Sequence, residues 1–214
     1  MTYLSRAGLL SALLSAAVAM SLAACDRKTD ATGATAAAPK ASFRAIDITG
    51  AEYARQLELP DADGKIRSLA EFKGRVVVVF FGYTQCPDVC PTTMAELSEV
   101  RRALATDGDK LQGIFVTVDP ERDTPAVLKA YVDNFNASFF GLRGSPEQTQ
   151  QVAREFKVFY AKVPGRTESS YTIDHTAGAY VFDTQGRIRL FSRHGAGPKA
   201  LEEDIRALLA ERGA

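Results

Sequence analysis

The stretch that decides the fold is Val76-Val77-Val78-Val79-Phe80-Phe81-Gly82-Tyr83-Thr84-Gln85-Cys86-Pro87-Asp88-Val89-Cys90-Pro91. Its apolar start, residues 76–80, predicts a β-strand that is buried on both faces of a sheet. Helix signals follow at once, so the two cysteines lie at a strand-to-helix turn. Two thiols held there can close a disulfide, attack one, or bind a soft metal ion.

The helix after the cysteines is predicted from one apolar face, formed by Met94, Leu97, Val100 and Leu104. Thr93 and Glu96 have the spacing of a capping box, which would begin the helix there and leave both cysteines in the preceding loop. An earlier start would place Cys90 in the first helical turn. In either case the thiols face the positive end of the helix dipole, which favours the thiolate form.

Strand and helix signals alternate along the rest of the chain. An Asp63-Gly64 hairpin signal precedes the valine run, and a second apolar strand is predicted over residues 114–118. Helices are predicted to begin at Thr124-Pro125 and Ser145-Pro146. Late strands at 180–182 and 188–191 precede an amphipathic helix with Leu201, Ile205 and Leu208. This order predicts an α/β fold, a thioredoxin-like domain with a central mixed sheet and helices on both faces.

The amino-acid composition indicates which kinds of binding partner are unsuited to this protein. The chain has 214 residues, with 26 basic and 26 acidic side chains, 46% hydrophobic and 9% aromatic residues. These values are typical of an ordinary globular domain. The balanced charge argues against nucleic acid as a partner.

The N-terminus predicts export and a lipid anchor. Arg6 precedes an apolar stretch, residues 9–22, which is shorter than the ~20 residues of a membrane span and is typical of a secretory signal. Its end, Leu22-Ala23-Ala24-Cys25, resembles a bacterial lipobox, so residues 1–24 are predicted to be a lipoprotein signal peptide and Cys25 the lipid anchor. Asp26 fits a sorting rule that retains lipoproteins at the periplasmic face of the inner membrane, in the bacterial cell envelope. An ordinary signal-peptidase site and an uncleaved span are the alternatives.

With Cys25 assigned to the lipid anchor, two cysteines remain in the folded domain. Residues 25–42 comprise the lipidated cysteine and a tether that is rich in Ala and Thr and has no apolar period, which leaves residues 43–214 for the folded domain. Cys86 and Cys90 are then a lone thiol pair in an oxidising compartment. A structural disulfide between them is a poor alternative, because closing so short a loop removes little entropy from the unfolded chain.

Three blocks of the sequence resemble the Sco/SenC family, in family order: residues 81–91, 116–125 and 171–177. The resemblance extends from about residue 57 to 209. It implies a thioredoxin-like fold and one copper ion per chain, bound through Cys86, Cys90 and His175. It also implies a metallochaperone that assists assembly of the copper A centre of cytochrome c oxidase. The implied partners are the oxidase subunit that bears copper A, an upstream copper donor and a thiol reductant.

The chemistry of these residues is consistent with copper. Two thiolates suit Cu(I), and one imidazole adds a third donor for Cu(II). Binding should release thiol protons and weaken at low pH. Asp174 is a candidate to orient His175 from outside the ligand set, although adjacent side chains can point in opposite directions. The other histidine, His194, lacks such a context and is expected to be exposed to solvent.

Other functions remain open at this point. A membrane-anchored thiol-disulfide oxidoreductase would use Cys86 and Cys90 as a redox dithiol to reduce a copper site or another periplasmic protein. Such enzymes typically carry Cys-x-x-Cys and a facing cis-proline, whereas this chain has three residues between its cysteines and no proline between Pro164 and Pro198. A peroxidase-like enzyme has only Thr84 near the thiols in its favour. Zinc with three protein ligands would leave an open position.

Overall fold

The protein is described here from a computed structural model that covers residues 42–167 and 170–211. The predicted signal peptide, Cys25 and nearly all of the tether lie outside the described residues. Within the described ranges, each helix is too short or too polar to cross a membrane. The strands and α-helices are β1 Ile46–Asp47, β2 Glu58–Pro60, β3 Ile66–Ser68, β4 Val76–Gly82, α1 Val89–Ala103, β5 Leu111–Thr117, α2 Pro125–Asp133, β6 Phe140–Leu142, α3 Pro146–Glu155, β7 Tyr160–Val163, β8 Thr172–His175, β9 Gly178–Phe182, β10 Ile188–Arg193 and α4 Pro198–Ala210.

A six-stranded mixed sheet forms the centre, with the strand order β1-β10-β9-β4-β5-β6. The strands β4, β5 and β6 run parallel to one another, and β9 pairs antiparallel to β4. Every residue of β4 and β5 is buried, which confirms the two apolar strands predicted from the sequence. Because the carboxyl ends of parallel strands meet at one edge of a sheet, the loop after β4 lies beside the loop after β5. The backbone N–H of Val118 donates to the carbonyl of Gly82 across this edge, at 2.8 Å.

Helices cover both faces of the sheet. Successive residues of a strand point to opposite faces, so the two phenylalanines of β4 pack on different layers. Phe81 packs against Phe156 at the end of α3, with ring centroids 5.0 Å apart. Phe80 lies on the other face, near Leu97 of α1 and Leu201 of α4. The predicted layered α/β architecture is therefore confirmed.

The caps of two helices agree with the sequence-based prediction. Thr124 caps α2 by accepting a hydrogen bond from the backbone N–H of Val127. Ser145 caps α3 in a reciprocal capping box with Gln148. Both helices have proline in the first turn, where its missing N–H is not needed.

The prediction of a capping box at Thr93 and Glu96 is wrong. Helix α1 begins at Val89, and the Thr93 hydroxyl donates to the Val89 carbonyl at 2.8 Å, as Ser and Thr do inside helices. The earlier start is the alternative that the sequence left open. It places Cys90 in the first turn of α1.

A separate hairpin of β7 and β8 was not predicted. The two strands pair only with each other in the described sheets, from Tyr160 opposite His175 to Val163 opposite Thr172. Each has four residues and a mixed burial pattern, which gives little alternation for a sequence-based prediction. Strands β1 and β6 are also short and were missed. The additional hairpin matters because its last residue is His175.

Candidate metal centre

Three side chains converge at the edge where β4 and β5 end. One ligand atom each from Cys86, Cys90 and His175 lie within 4.8 Å of one another. Sγ of Cys90 is 3.4 Å from Nε2 of His175, and the backbone N–H of Cys90 donates to Sγ of Cys86 at 3.4 Å. Both cysteines are free thiols, Cys90 buried and Cys86 half-buried. The fold thus brings together the three residues that the sequence singled out as ligands.

The sulfur of Cys90 fits against the backbone of β4 because that strand ends in glycine. A Cβ atom on Gly82 would lie 2.7 Å from Sγ of Cys90 and 3.0 Å from ring atoms of both Phe80 and Phe115. No side chain larger than hydrogen fits there without displacing the sulfur or a ring. No role was predicted for Gly82 from the sequence. A glycine at the end of an otherwise bulky apolar strand is the feature that could have indicated a close contact there.

Burial raises the pKa of the Cys90 thiol, and its hydrogen bond with Cys86 acts in the same direction. The expectation that the helix dipole makes both thiols acidic is therefore wrong for Cys90. Cys90 is completely inaccessible to solvent, and burial disfavours the charged thiolate. In the metal-free protein Cys90 is a neutral thiol at neutral pH.

His175 presents Nε2 to the thiols because its other nitrogen is engaged. Nδ1 lies 3.2 Å from the Thr176 carbonyl, which can only accept, so Nδ1 is assigned the proton and Nε2 the lone pair. Burial lowers the pKa of His175 and keeps the ring neutral. A neutral Cys90 thiol is thus positioned to donate to Nε2. The ring also packs edge-on against Phe80 and Tyr83, at centroid distances of 5.9 and 6.0 Å.

Asp174 and His194 lie outside this Cys-Cys-His group. Asp174 is exposed, and in the described contacts the acceptor at Nδ1 of His175 is the Thr176 carbonyl rather than the Asp174 carboxylate. Asp174 acts on His175 through its charge, which raises the histidine pKa less than burial lowers it. His194 is exposed, as expected, and its Nδ1 lies 3.4 Å from the Thr93 hydroxyl.

A buried carboxyl group supports the loop that carries Cys86. Asp123 is 0% exposed and accepts hydrogen bonds from the Thr84 amide at 3.1 Å, the Thr84 hydroxyl at 2.6 Å and the Thr117 hydroxyl at 2.5 Å. Burial raises the pKa of Asp123, while these donors act in the opposite direction. The residues 83–88, called the cysteine loop below, are therefore anchored to the end of β5. Asp123 lies within the block 116–125 that carries the family resemblance, but no function was predicted for it.

A second network joins the loop after β5 to the hairpin. Asp119 is buried, forms an ion pair with Arg122 and accepts a hydrogen bond from the Tyr171 hydroxyl at 2.7 Å. Asp119 is not part of the Cys-Cys-His group. Arg122 and Tyr171 were not singled out from the sequence, although both lie in blocks that carry the family resemblance.

A groove of about 310 Å³ opens beside the thiols. Its walls are mostly apolar, from Tyr83, Pro87, Val89 and Ile173, and the carboxylates of Asp88 and Asp174 also line it. Cys86 and His175 face this groove as well. A metal ion or a thiol of another protein can therefore reach the site from one side.

The fold and the site define a class, a thioredoxin-like domain whose thiol pair is completed by a histidine from an added hairpin. A profile described as SCO1/SenC matches residues 46–210. An SCO2-like protein of Rickettsia felis is 37% identical over 150 residues, 70% of this chain and 73% of that protein. The chain belongs to the SCO1/SenC family.

Solved structures agree with this assignment. The structure of Bradyrhizobium japonicum ScoI with copper bound is 40% identical, with a TM-score of 0.65 over 72% of this chain and 97% of that one. Apo Sco1 of Thermus thermophilus is 36% identical, with a TM-score of 0.70 over 80% of this chain and 99% of that one. The predicted thioredoxin-like fold is confirmed.

Proposed function

We propose that this protein is a copper metallochaperone that binds one copper ion through Cys86, Cys90 and His175. The observation that carries the proposal is the convergence of two free thiols and one imidazole nitrogen within 4.8 Å. Two thiolates form a soft donor set for Cu(I), and the imidazole supplies the additional donor that Cu(II) needs. The copper-bound relative from Bradyrhizobium japonicum supports copper as the metal.

The protein's own groups prepare the site for this cargo. The Thr176 carbonyl holds the proton of His175 on Nδ1, which leaves the Nε2 lone pair directed at Cys90. Binding replaces the proton of the Cys90 thiol with copper, and that proton leaves through the open groove. Because Cys86 is half-buried at the groove, an incoming ligand of a recipient protein can approach the copper from that side.

In this proposal the recipient is the subunit of cytochrome c oxidase that bears the copper A centre. A copper donor loads the site, and a thiol reductant keeps the cysteine pair reduced. Lipidated Cys25 and the tether would hold the domain at the periplasmic face of the inner membrane. Support for the anchor comes from the lipobox-like end of the signal sequence. The anchor is tested by the mass of the mature N-terminus and by membrane fractionation, where Cys25→Ala should move the protein to the soluble fraction.

The copper site is tested on the fully reduced protein by copper and zinc stoichiometry, Cu(II) absorption and electron paramagnetic resonance. We expect one copper per chain and a thiolate-to-Cu(II) absorption band. Cys86→Ala and Cys90→Ala should lower the retention of copper in both oxidation states, and His175→Ala should lower the retention of Cu(II) most. His194→Ala is the matched control and should bind as the wild type does. Equal copper binding by the wild type and the double cysteine variant would refute the site.

A thiol-disulfide oxidoreductase is the second candidate, and one observation favours it. The half-buried Cys86 and the buried Cys90 lie close together, as an attacking and a resolving thiol would. The Cys86 thiolate would attack a partner disulfide and release one partner thiol. Cys90 would then displace the second, leaving a Cys86–Cys90 disulfide that a thiol reductant must reduce. Rapid reduction of a disulfide substrate without tight copper binding would favour this function.

A further inference from the structure

The side chain of Arg122 contacts a residue beside each of the two segments that carry Cys86 and His175. Its Nη1 donates to Oε1 of Gln85 at 3.1 Å and to the Tyr171 carbonyl at 2.8 Å. Gln85 immediately precedes Cys86 in the cysteine loop. Tyr171 immediately precedes β8, which ends at His175. One guanidinium group therefore ties the loop that carries Cys86 to the hairpin that carries the imidazole.

Side-chain contacts hold the hairpin of β7 and β8 against the loop after β5. Strands β7 and β8 form their own two-stranded sheet, separate from the six-stranded sheet that positions the cysteines. The contacts that join it to the loop after β5 are made by side chains, namely Arg122 with Tyr171, Tyr171 with Asp119, and Lys162 with Glu121 at 2.7 Å. After His175 the chain continues directly into β9 of the main sheet, whereas Tyr171, just before β8, is held against the loop after β5 by these side-chain contacts. The contacts of Tyr171 therefore contribute to the position of the imidazole relative to the thiols.

Arg122 is not an ordinary surface cation. Its side chain is 15% exposed, its guanidinium carbon lies 3.6 Å from the centre of the Tyr171 ring, and its partner Asp119 is 1% exposed. Its Nη2 is buried without a hydrogen-bond partner among the described residues. Burying an ion pair with one donor unsatisfied is a poor way to gain stability. The arrangement is better explained by the geometry that a rigid, forked cation imposes on its neighbours.

We propose that Arg122 is a positioning residue that sets the separation between His175 and the two thiols. It thereby determines how well the site retains Cu(II), while the thiol pair alone retains Cu(I). This inference rests on the proposed copper-binding function. Arg122 itself touches none of the three ligands in the described contacts and acts through Gln85 and Tyr171.

The test compares Arg122→Lys with Arg143→Lys. Lysine keeps the positive charge, but its single nitrogen cannot pair with Asp119, as Nε of Arg122 does, and at the same time reach Gln85 and Tyr171, as Nη1 does. Arg143 is the matched control, because its guanidinium also binds the loop after β5, through two hydrogen bonds to the Pro120 carbonyl. Its described hydrogen bonds involve neither Gln85 nor Tyr171. Cu(I) and Cu(II) affinities, Cu(II) absorption and paramagnetic resonance are measured on each full-length protein.

We expect Arg122→Lys to lower Cu(II) affinity by about 10–100-fold and to change the Cu(II) spectra, as loss of an outer contact of a metal ligand typically does. Its Cu(I) affinity and both affinities of Arg143→Lys should stay within about twofold of the wild type. Gln85→Leu, at an exposed position, removes only the contact with the cysteine loop and should shift Cu(II) in the same direction by a smaller factor. That variant carries the test if Arg122→Lys does not fold.

A measurement without metal separates this inference from the proposed function. In the metal-free protein, hydrogen exchange at the amides of β7 and β8 should be faster in Arg122→Lys than in Arg143→Lys, with exchange in β4 unchanged. If the wild type binds no copper, the proposed function fails, but this local effect would still establish the positioning role. Unchanged hairpin exchange, an unchanged Cu(II) site, or equal losses of Cu(I) and Cu(II) in Arg122→Lys would each overturn the inference.

Discussion

The cysteine loop and the histidine hairpin meet at one site but are held there by different means. The cysteine loop leaves β4, whose seven residues are all buried and pair in register with β5. The hairpin pairs with itself, continues into β9 after His175, and is held against the loop after β5 through side chains such as Arg122 and Tyr171. Buried backbone ladders open at a much higher free energy than partly exposed side-chain contacts do. The thiols therefore occupy a rigid position, and the imidazole occupies one that small changes can alter.

The largest expected effect is on the anchor of the cysteine loop. Asp123→Ala removes the acceptor of the buried Thr117 hydroxyl and of the part-buried amide and hydroxyl of Thr84, and each donor left unsatisfied costs about 1–3 kcal/mol. We expect the unfolding free energy of the reduced, metal-free protein to fall by at least about 3 kcal/mol in urea titrations, on the same basis.

The control is Asp133→Ala, which removes a surface ion pair with Lys129. It should cost less than about 1 kcal/mol. Equal losses in the two variants would mean that the cysteine loop is not anchored through Asp123.

Alanine substitutions at Gly82 and Gly113 distinguish an effect on the stability of the sheet from an effect on the geometry of the site. Gly82→Ala places a methyl group against Sγ of Cys90, and Gly113→Ala places one against Phe139 and Leu97, away from the thiols. Both changes overpack the core and should cost about 1–3 kcal/mol. Gly82→Ala alone should shift the thiolate-to-Cu(II) absorption band. A band that shifts in both variants, or in neither, would contradict the role of Gly82 in seating the sulfur.

The pH dependence of copper binding distinguishes Cys90 from His175, because only the cysteine must lose a proton to bind copper. Burial raises the pKa of Cys90, so its thiol must lose a proton to bind copper, whereas the lowered pKa of His175 leaves that ring already neutral. Cu(I) affinity should therefore rise at least about tenfold per pH unit near neutral pH, equivalent to about 1.4 kcal/mol.

Competition titrations at several pH values measure this slope. His175→Ala should keep the slope of the wild type, and Cys90→Ser should reduce it by one proton. The same slope in Cys90→Ser as in the wild type would place the released proton elsewhere.

The smallest expected effect is confined to the hairpin. Tyr171→Phe removes only the hydroxyl that donates to Asp119 and should cost about 1 kcal/mol, the typical net value of one hydrogen bond. Hydrogen exchange should become faster in β7 and β8 and remain unchanged in β4. Tyr131→Phe is the control, because its buried hydroxyl has no described hydrogen-bond partner. Faster exchange throughout the main sheet of Tyr171→Phe would show that the hairpin is not an independent unit.

Much of the fold could be predicted because its signals are local. A run of β-branched residues predicts β4, and Thr124-Pro125 and Ser145-Pro146 mark the starts of α2 and α3 within a few residues of sequence. The strands β6, β7 and β8 escaped prediction because three or four residues of mixed polarity carry too little alternation. The start of α1 was predicted too late, because the spacing of Thr93 and Glu96 is the same whether the threonine caps the helix or lies inside it.

The sequence by itself determined the strand-turn-helix that presents two thiols, the alternation of strands and helices, and the three ligand candidates. The tertiary structure decided that a hairpin brings His175 to Cys90 across 85 positions of the chain, and that Arg122 joins the two parts of the site. It also decided the protonation of Cys90, because burial raises the pKa of its thiol. Backbone preferences are set within a few residues, whereas burial and contact depend on segments that only the folded chain brings together.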